Sequence, residues 1–170
     1  MKRFSLVLLL VISIVYISDV EKALAESKGD LESTVEQAVM LRNTGDTAIA
    51  LQLYSDDVTY YLVDQVPPEL KGVKEIKEYY DFIRTAYPDM KYEIKDMSVD
   101  GNKVTAHLVF NGTNTGPRGD LPPTNKKVTF TTISIYEITD GEISNVWVHT
   151  NKAAIYRQLG MTELPTFDSK

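Results

Sequence analysis

The spacing of apolar residues changes from helical to strand-like about half-way along this chain. In the first half, apolar residues recur every three or four positions, which predicts amphipathic helices over residues 31–43, 46–54 and 72–87. A β-branched and aromatic run predicts one strand between them, at residues 58–63. In the second half apolar and polar residues alternate, which predicts strands over residues 91–99, 104–110, 127–138 and 143–150. A closing helix is predicted at residues 153–159.

Tight turns indicate how the strands pair. Asp-Gly pairs at residues 100–101 and 140–141 predict two hairpins. Helices followed by hairpin-linked strands are typical of an α+β domain with an antiparallel sheet. The predicted architecture is therefore α+β, with three N-terminal helices packed on a strongly curved antiparallel sheet that leaves a pocket beneath the helices.

The N-terminus has the pattern of an export signal. Lys2 and Arg3 precede an apolar run at residues 4–17, and Ala23-Leu24-Ala25 matches a cleavage site. We therefore expect residues 1–25 to be a signal peptide and the mature protein to be periplasmic or secreted. The apolar run is shorter than the ~20 residues that a spanning helix needs, so we expect no stable membrane anchor. An uncleaved anchor is the alternative.

The remaining chain is the length of one domain. We predict a short linker at residues 26–30, one domain at 31–161 and an irregular tail at 162–170. The absence of cysteine excludes disulfides and zinc–thiolate sites. The whole chain carries 18 basic and 24 acidic residues, a net charge of −6, which argues against a nucleic-acid partner.

Several short stretches carry a family resemblance over residues 31–161. In order they read GVKEI at 72–76, AYPDM at 86–90, DGNKV at 100–104, NGTNTG at 111–116, PPTNK at 122–126, DGEI at 140–143 and RQLG at 157–160, with Trp147 before the last. Together they resemble the SnoaL-like polyketide cyclase family, within the cone-shaped superfamily of nuclear transport factor two. The resemblance implies an α+β barrel with a pocket at its open end. It also implies an acidic residue that catalyses ring closure without metal or cofactor.

This chain departs from that pattern at positions where the family has titratable residues. Asn114 stands where the family often has His, and Ser134 where it often has Asp. Val148 and Asn151 stand where members often carry acidic residues after the last-strand Trp. Neutral Ser and Asn can orient a ligand but cannot take up a proton near neutral pH.

The candidate base is His149, which shares strand parity with Trp147. We expect Ile143, Asn145 and Trp147 to be the inward set of that strand, so that His149 lines the cavity. The candidate substrate-binding residues are Tyr61, Asn114, Ser134 and Trp147. The two histidines have no carboxylate at ligand spacing, so we expect no metal site, and no cofactor is implied.

Two functions remain open at this point. The first is cofactor-free cyclase-, isomerase- or lyase-like chemistry on a small, largely apolar carbonyl or ester compound, with His149 as base. The second is a non-catalytic module of the same fold that binds a small apolar metabolite. In either case β-branched residues on the outer sheet face, Val109, Ile133 and Ile135, predict a homodimer through the sheet.

Overall fold

The computed structural model describes residues 22–24, 27–63, 68–119 and 121–161. The apolar run of the export signal, the proposed cleavage site after Ala25 and the tail at 162–170 lie outside these residues. Residues 27–30, predicted as a linker, are helical and begin the first long helix. Within the described part of the chain, none of the helices has the length and apolar character that crossing a membrane requires.

Helices and strands follow one another much as the periodicity predicts. Residues 27–44 form helix α1. The remaining elements are α2 (Thr47–Leu53), β1 (Tyr54–Leu62), β2 (Glu69–Lys71), α3 (Gly72–Ala86), β3 (Lys91–Asp100), β4 (Lys103–Thr113), β5 (Lys127–Thr139), β6 (Glu142–Thr150) and α4 (Lys152–Leu159). The three-residue strand β2 has no counterpart in the sequence prediction, because so short a segment shows no alternation.

The α+β class is confirmed, but the sheet is mixed rather than antiparallel. Its six strands lie in the order β2-β1-β6-β5-β4-β3, and β1 runs parallel to β6. The hairpin turns fix only the antiparallel pairs β3–β4 and β5–β6. The first and last long strands meet without a hairpin, and a parallel pair of this kind carries no local turn signal.

The core lies between the helices and one face of this sheet. Strand β4 alternates without a break, so that Val104, Ala106, Leu108 and Phe110 are buried and the residues between them are half-buried. Helix α3 covers this face with Ile76, Tyr80, Ile83 and Ala86. The buried face of the sheet and the buried side of α3 thus form one continuous core.

Strand β6 has a different inward set from the one predicted. Its pairing with β5 shifts register after Ile143, so that Glu137 pairs with Asn145 while Ile138 pairs with Ile143. This extra residue reverses the side-chain parity for the rest of the strand. Val146 and Val148 are therefore buried, and His149 is exposed on the opposite face. The expectation that Asn145, Trp147 and His149 point inward is wrong for this reason.

Candidate functional site

A buried arginine lies at the centre of the inner face. The apolar stripe of α1, which includes Val35, Ala38 and Val39, continues one turn later at Arg42. The Arg42 side chain is only 1% exposed. Its Nη1 donates a hydrogen bond to the Ser134 hydroxyl at 3.4 Å. Its Nε and Nη2 have no hydrogen-bond partner among the residues that the structure describes.

Tyrosine rings surround the Arg42 guanidinium. Its Cζ lies 5.3–5.8 Å from the ring centroids of four of them, Tyr60, Tyr80, Tyr92 and Tyr136. A fifth, Tyr54, is buried and its hydroxyl has no hydrogen-bond partner. We call Arg42, Ser134 and these five tyrosines the Arg42 cluster. Contacts between a cation and aromatic faces stabilise a desolvated guanidinium, but they leave its N–H donors unused.

The charge of the Arg42 cluster comes from one residue. Among the described residues, no carboxylate forms an ion pair with Arg42. Burial raises the pKa of Tyr60 and of Tyr80 well above the ordinary value, although the nearby Arg42 cation opposes that shift. These hydroxyls, which hydrogen bond to each other, are therefore neutral donors at physiological pH. The cluster as a whole is a net positive site.

Contacts at the end of α1 fix the position of Arg42. The Asn43 side chain accepts a hydrogen bond from the Tyr92 backbone N–H at 2.7 Å and donates to the Tyr92 carbonyl at 3.0 Å. From the other side, Arg84 of α3 donates to the Arg42 carbonyl at 2.8 Å. The backbone at Arg42 is thus held by both the edge strand β3 and helix α3.

A cavity adjoins the cluster between α3, the sheet and α4. It is partly open to solvent, and the space within it that admits the centre of a water-sized sphere is about 30 Å³. Its walls are mainly aromatic, with Phe110 and Phe130 stacked at 4.4 Å and Tyr92 packed edge-on against Phe110 at 5.0 Å. We call this the aromatic cavity. Its described lining contains no carboxylate and no imidazole.

Two polar groups project into the aromatic cavity without a good partner. Arg118 Nη1 is buried and makes no hydrogen bond, while the Arg118 guanidinium lies 5.5 Å from the ring of Tyr156. The Tyr87 hydroxyl is buried and also lacks a hydrogen bond of good geometry. Burial raises the pKa of Tyr87, and the nearby Arg118 charge reduces that shift. The Tyr87 hydroxyl therefore keeps its proton and is a hydrogen-bond donor near neutral pH.

Asn114 holds the loop that carries Arg118. It is 1% exposed and its amide donates to the carbonyls of Ala86 and Gly116. Its side-chain oxygen accepts from both the backbone N–H and the hydroxyl of Thr124. All of its hydrogen-bonding capacity is thus used within the protein, and we assign it a role in loop structure rather than in ligand contact.

The structure separates the other predicted site residues. Ser134 is fully buried and belongs to the Arg42 cluster. Tyr61 and Trp147 instead stack on each other on the outer face, with ring centroids 5.3 Å apart and Lys103 Nζ 5.0 Å above the Trp147 ring. Neighbouring residues in a strand point to opposite faces, so the inward partner of Tyr61 is Tyr60.

His149 also lies away from the aromatic cavity. It is exposed and pairs across strands with Ile133, which is 40% exposed on the same outer face. An exposed side chain on that face cannot reach a ligand beneath the helices. Among the described residues, no group of three or more His, Cys, Asp or Glu side chains could hold a metal ion.

Comparison with known proteins identifies the family of this chain. Residues 32–159 match the family model of the SnoaL-like polyketide cyclases. The chain belongs to this family. As a SnoaL-like protein it is expected to share the fold of solved relatives. No curated protein matches its sequence significantly.

Several solved structures share the SnoaL-like fold. TsrD from Streptomyces laurentii is 21% identical, with a TM-score of 0.68 over 78% of this chain and 96% of its own. IdmH from Streptomyces antibioticus, a candidate polyketide cyclase, is 23% identical, with a TM-score of 0.68 over 77% and 99%. An epoxide hydrolase of M. tuberculosis is 16% identical, with a TM-score of 0.61 over 77% and 90%. This fold suggests small-molecule binding or cofactor-free catalysis.

Sequence reasoning missed the central residue of this SnoaL-like site. Arg42 follows Val35, Ala38 and Val39 at the spacing of one helix face, so a charged residue stands at a core position. Such a position is itself a signal, because arginine is almost never fully buried without a function or a partner. The inward tyrosines are individually ordinary, and only the fold brings them together.

Proposed function

We propose that this SnoaL-like chain is a binding module that holds a small, largely apolar carbonyl compound in the aromatic cavity without turning it over. The observation that supports this most is the composition of the cavity wall. It offers aromatic faces and the donors of Arg118 and Tyr87, but its described residues include no group that accepts a proton near neutral pH. Ring closure or isomerisation by proton abstraction requires such a base within hydrogen-bond reach.

The sequence-based alternative was catalysis with His149 as base. Its exposure on the outer face argues against that role. A carbonyl oxygen in the aromatic cavity would instead accept hydrogen bonds from Arg118 Nη1 and the Tyr87 hydroxyl. Mass spectrometry of small molecules that co-purify with the protein identifies the natural compound directly.

Filling the aromatic cavity should weaken binding. Ile155 of α4 is 3% exposed and lines the cavity, so Ile155→Phe places extra volume inside it. With acetophenone as a neutral carbonyl probe, we expect the affinity measured by calorimetry to fall about tenfold. The control is Ile133→Phe, which adds the same volume on the outer face and should leave affinity unchanged. Equal affinities in both variants, or no acetophenone binding by the unmodified protein, would contradict the proposed function.

We also propose that the outer sheet face pairs with a second copy of the chain. Ile133 is 40% exposed there, on the same face as half-buried Val109 and Ile135. Ile133→Lys should therefore convert a dimer to a monomer in sedimentation at tens of micromolar protein, a range suited to a moderate interface. The matched control is Phe82→Lys on α3, where an apolar side chain of similar exposure lies on a different surface. A monomeric unmodified protein would refute the dimer.

Export completes the proposal. Protein recovered from the periplasm or medium is expected to begin at Glu26 when its N-terminus is sequenced. Ala25→Phe should prevent cleavage, since the site requires a small residue. Exported protein that still begins at Met1 would rule out the cleaved signal.

A further inference from the structure

The Arg42 cluster contains donors that neither the fold nor the proposed carbonyl site uses. Arg42 is almost completely buried, and only its Nη1 has a hydrogen-bond partner. Burying an unpaired charge costs several kcal/mol unless other groups compensate, so an isolated core guanidinium is not explained by packing. The surrounding rings reduce this cost without satisfying its N–H groups.

The two unused nitrogens have a specific geometry. Nε and Nη2 lie on the same edge of the planar guanidinium, and their N–H bonds point in parallel. That edge matches the two oxygens of a carboxylate, which it binds through two hydrogen bonds. Nη1 donates to Ser134, whereas Nε and Nη2 on this edge have no hydrogen-bond partner among the described residues.

The Arg42 cluster and the aromatic cavity share a wall. The Tyr92 ring lines the cavity and lies 5.7 Å from Arg42 Cζ. Tyr92 is only half-buried, and its strand β3 is the edge of the sheet, paired to β4 alone. Among the rings around Arg42, Tyr92 is therefore the one whose rotation disturbs the core least.

We propose that Arg42 binds the carboxylate of the ligand whose apolar body occupies the aromatic cavity. This inference rests on the proposed function and narrows the ligand to a small aromatic or apolar carboxylic acid, bound as its anion. Arg118 in the cavity wall then contacts the rest of the ligand, and Arg42 determines which compounds are selected.

The test compares benzoate with acetophenone, which have the same shape but differ in charge. Calorimetry on the unmodified protein at neutral pH should show benzoate binding about tenfold more tightly, as expected for a charge-assisted pair of hydrogen bonds. Arg42→Gln should abolish this preference, because it weakens benzoate binding more than acetophenone binding. Arg42→Lys keeps the charge without the two-donor edge and should retain only part of the preference. If Arg42→Gln does not fold, the Arg42→Lys result tests the role of Arg42 in its place.

Two further variants separate Arg42 from other arginines. Arg157→Gln, on the exposed surface of α4, should leave both affinities unchanged. Arg118→Met should weaken both probes by a similar factor and preserve their ratio. If Arg118→Met abolishes the preference for benzoate while Arg42→Gln does not, the anion binds at Arg118 and the inference is overturned.

Failure of this inference can be told apart from failure of the proposed function. Equal affinity of the unmodified protein for benzoate and acetophenone would overturn the role of Arg42 and indicate a guanidinium held only by its tyrosine rings or by water. The binding module would still stand in that case. Absence of acetophenone binding, or its insensitivity to Ile155→Phe, contradicts the binding module itself.

Discussion

Gly116→Ala is expected to destabilise the protein by about 3 kcal/mol, at the upper end of the cost of overpacking. A Cβ at this position would lie 1.9 Å from the Thr85 carbonyl oxygen and 2.9 Å from its carbonyl carbon. Both atoms are backbone atoms near the end of α3, so no side-chain rotation relieves the clash. The Gly116 N–H also donates to the Ala86 carbonyl at 3.2 Å, and separating the two segments would break this hydrogen bond.

Thermal unfolding measures this effect directly. A loss of that size corresponds to a midpoint about 10 °C lower for a domain of this length. The control is Gly29→Ala, because a Cβ there meets nothing within 4 Å and the residue is helical. That change should be neutral or slightly stabilising. A Gly116→Ala midpoint within a degree or two of the unmodified protein would mean that the loop does not pack against α3 as described.

Asn114→Ala is expected to cost about 3 kcal/mol, because it leaves several buried groups without partners at once. The carbonyls of Ala86 and Gly116 lose a donor, and the Thr124 N–H and hydroxyl lose their acceptor. Since this loop carries Arg118, the variant should also weaken acetophenone binding. Denaturant unfolding and calorimetry on the same preparation measure the two effects.

Two companion variants make the Asn114 result specific. Asn111→Ala removes one exposed hydrogen bond, which the Asn111 side-chain oxygen accepts from the Thr129 hydroxyl at 2.8 Å, and should cost less than about 1 kcal/mol. Asn114→Asp keeps the acceptor, but near neutral pH it places a carboxylate against two carbonyls. Its native pKa should therefore be raised, so the variant should gain stability relative to the unmodified protein as the pH falls through that pKa. A loss that is the same at every pH would contradict this account.

Most elements of the fold could be predicted from local pattern, and the exceptions have physical causes. The alternation of β4 survives intact in the structure, because its pairing with β5 is continuous and the irregularity in its pairing with β3 adds the extra residue to β3. The alternation of β6 is reversed by a single extra residue near Ser144, whose signal is not visible in an isolated strand. Side chains also alternate between the two faces along β1, so Tyr60 is buried and its neighbour Tyr61 is not.

The candidate site was harder to predict, because its parts are far apart in the chain. Ser134 was singled out from the family resemblance, and it does lie beside Arg42. Arg42 itself comes from α1, Tyr80 from α3 and Tyr136 from β5, so that no motif of adjacent residues contains them. Only the assembled sheet and helices show that a positive charge stands among tyrosines.

The parallel contact between β1 and β6 has a consequence for how the chain reaches its native state. Tyr60 pairs with Val146, half the length of the chain away. Contacts between such distant segments form late and slow folding. During synthesis on the ribosome, β1 has no long neighbour until β6 has emerged. A chain that stops before residue 142 would expose the unpaired edges of both β1 and β5, and each could recruit strands from other molecules.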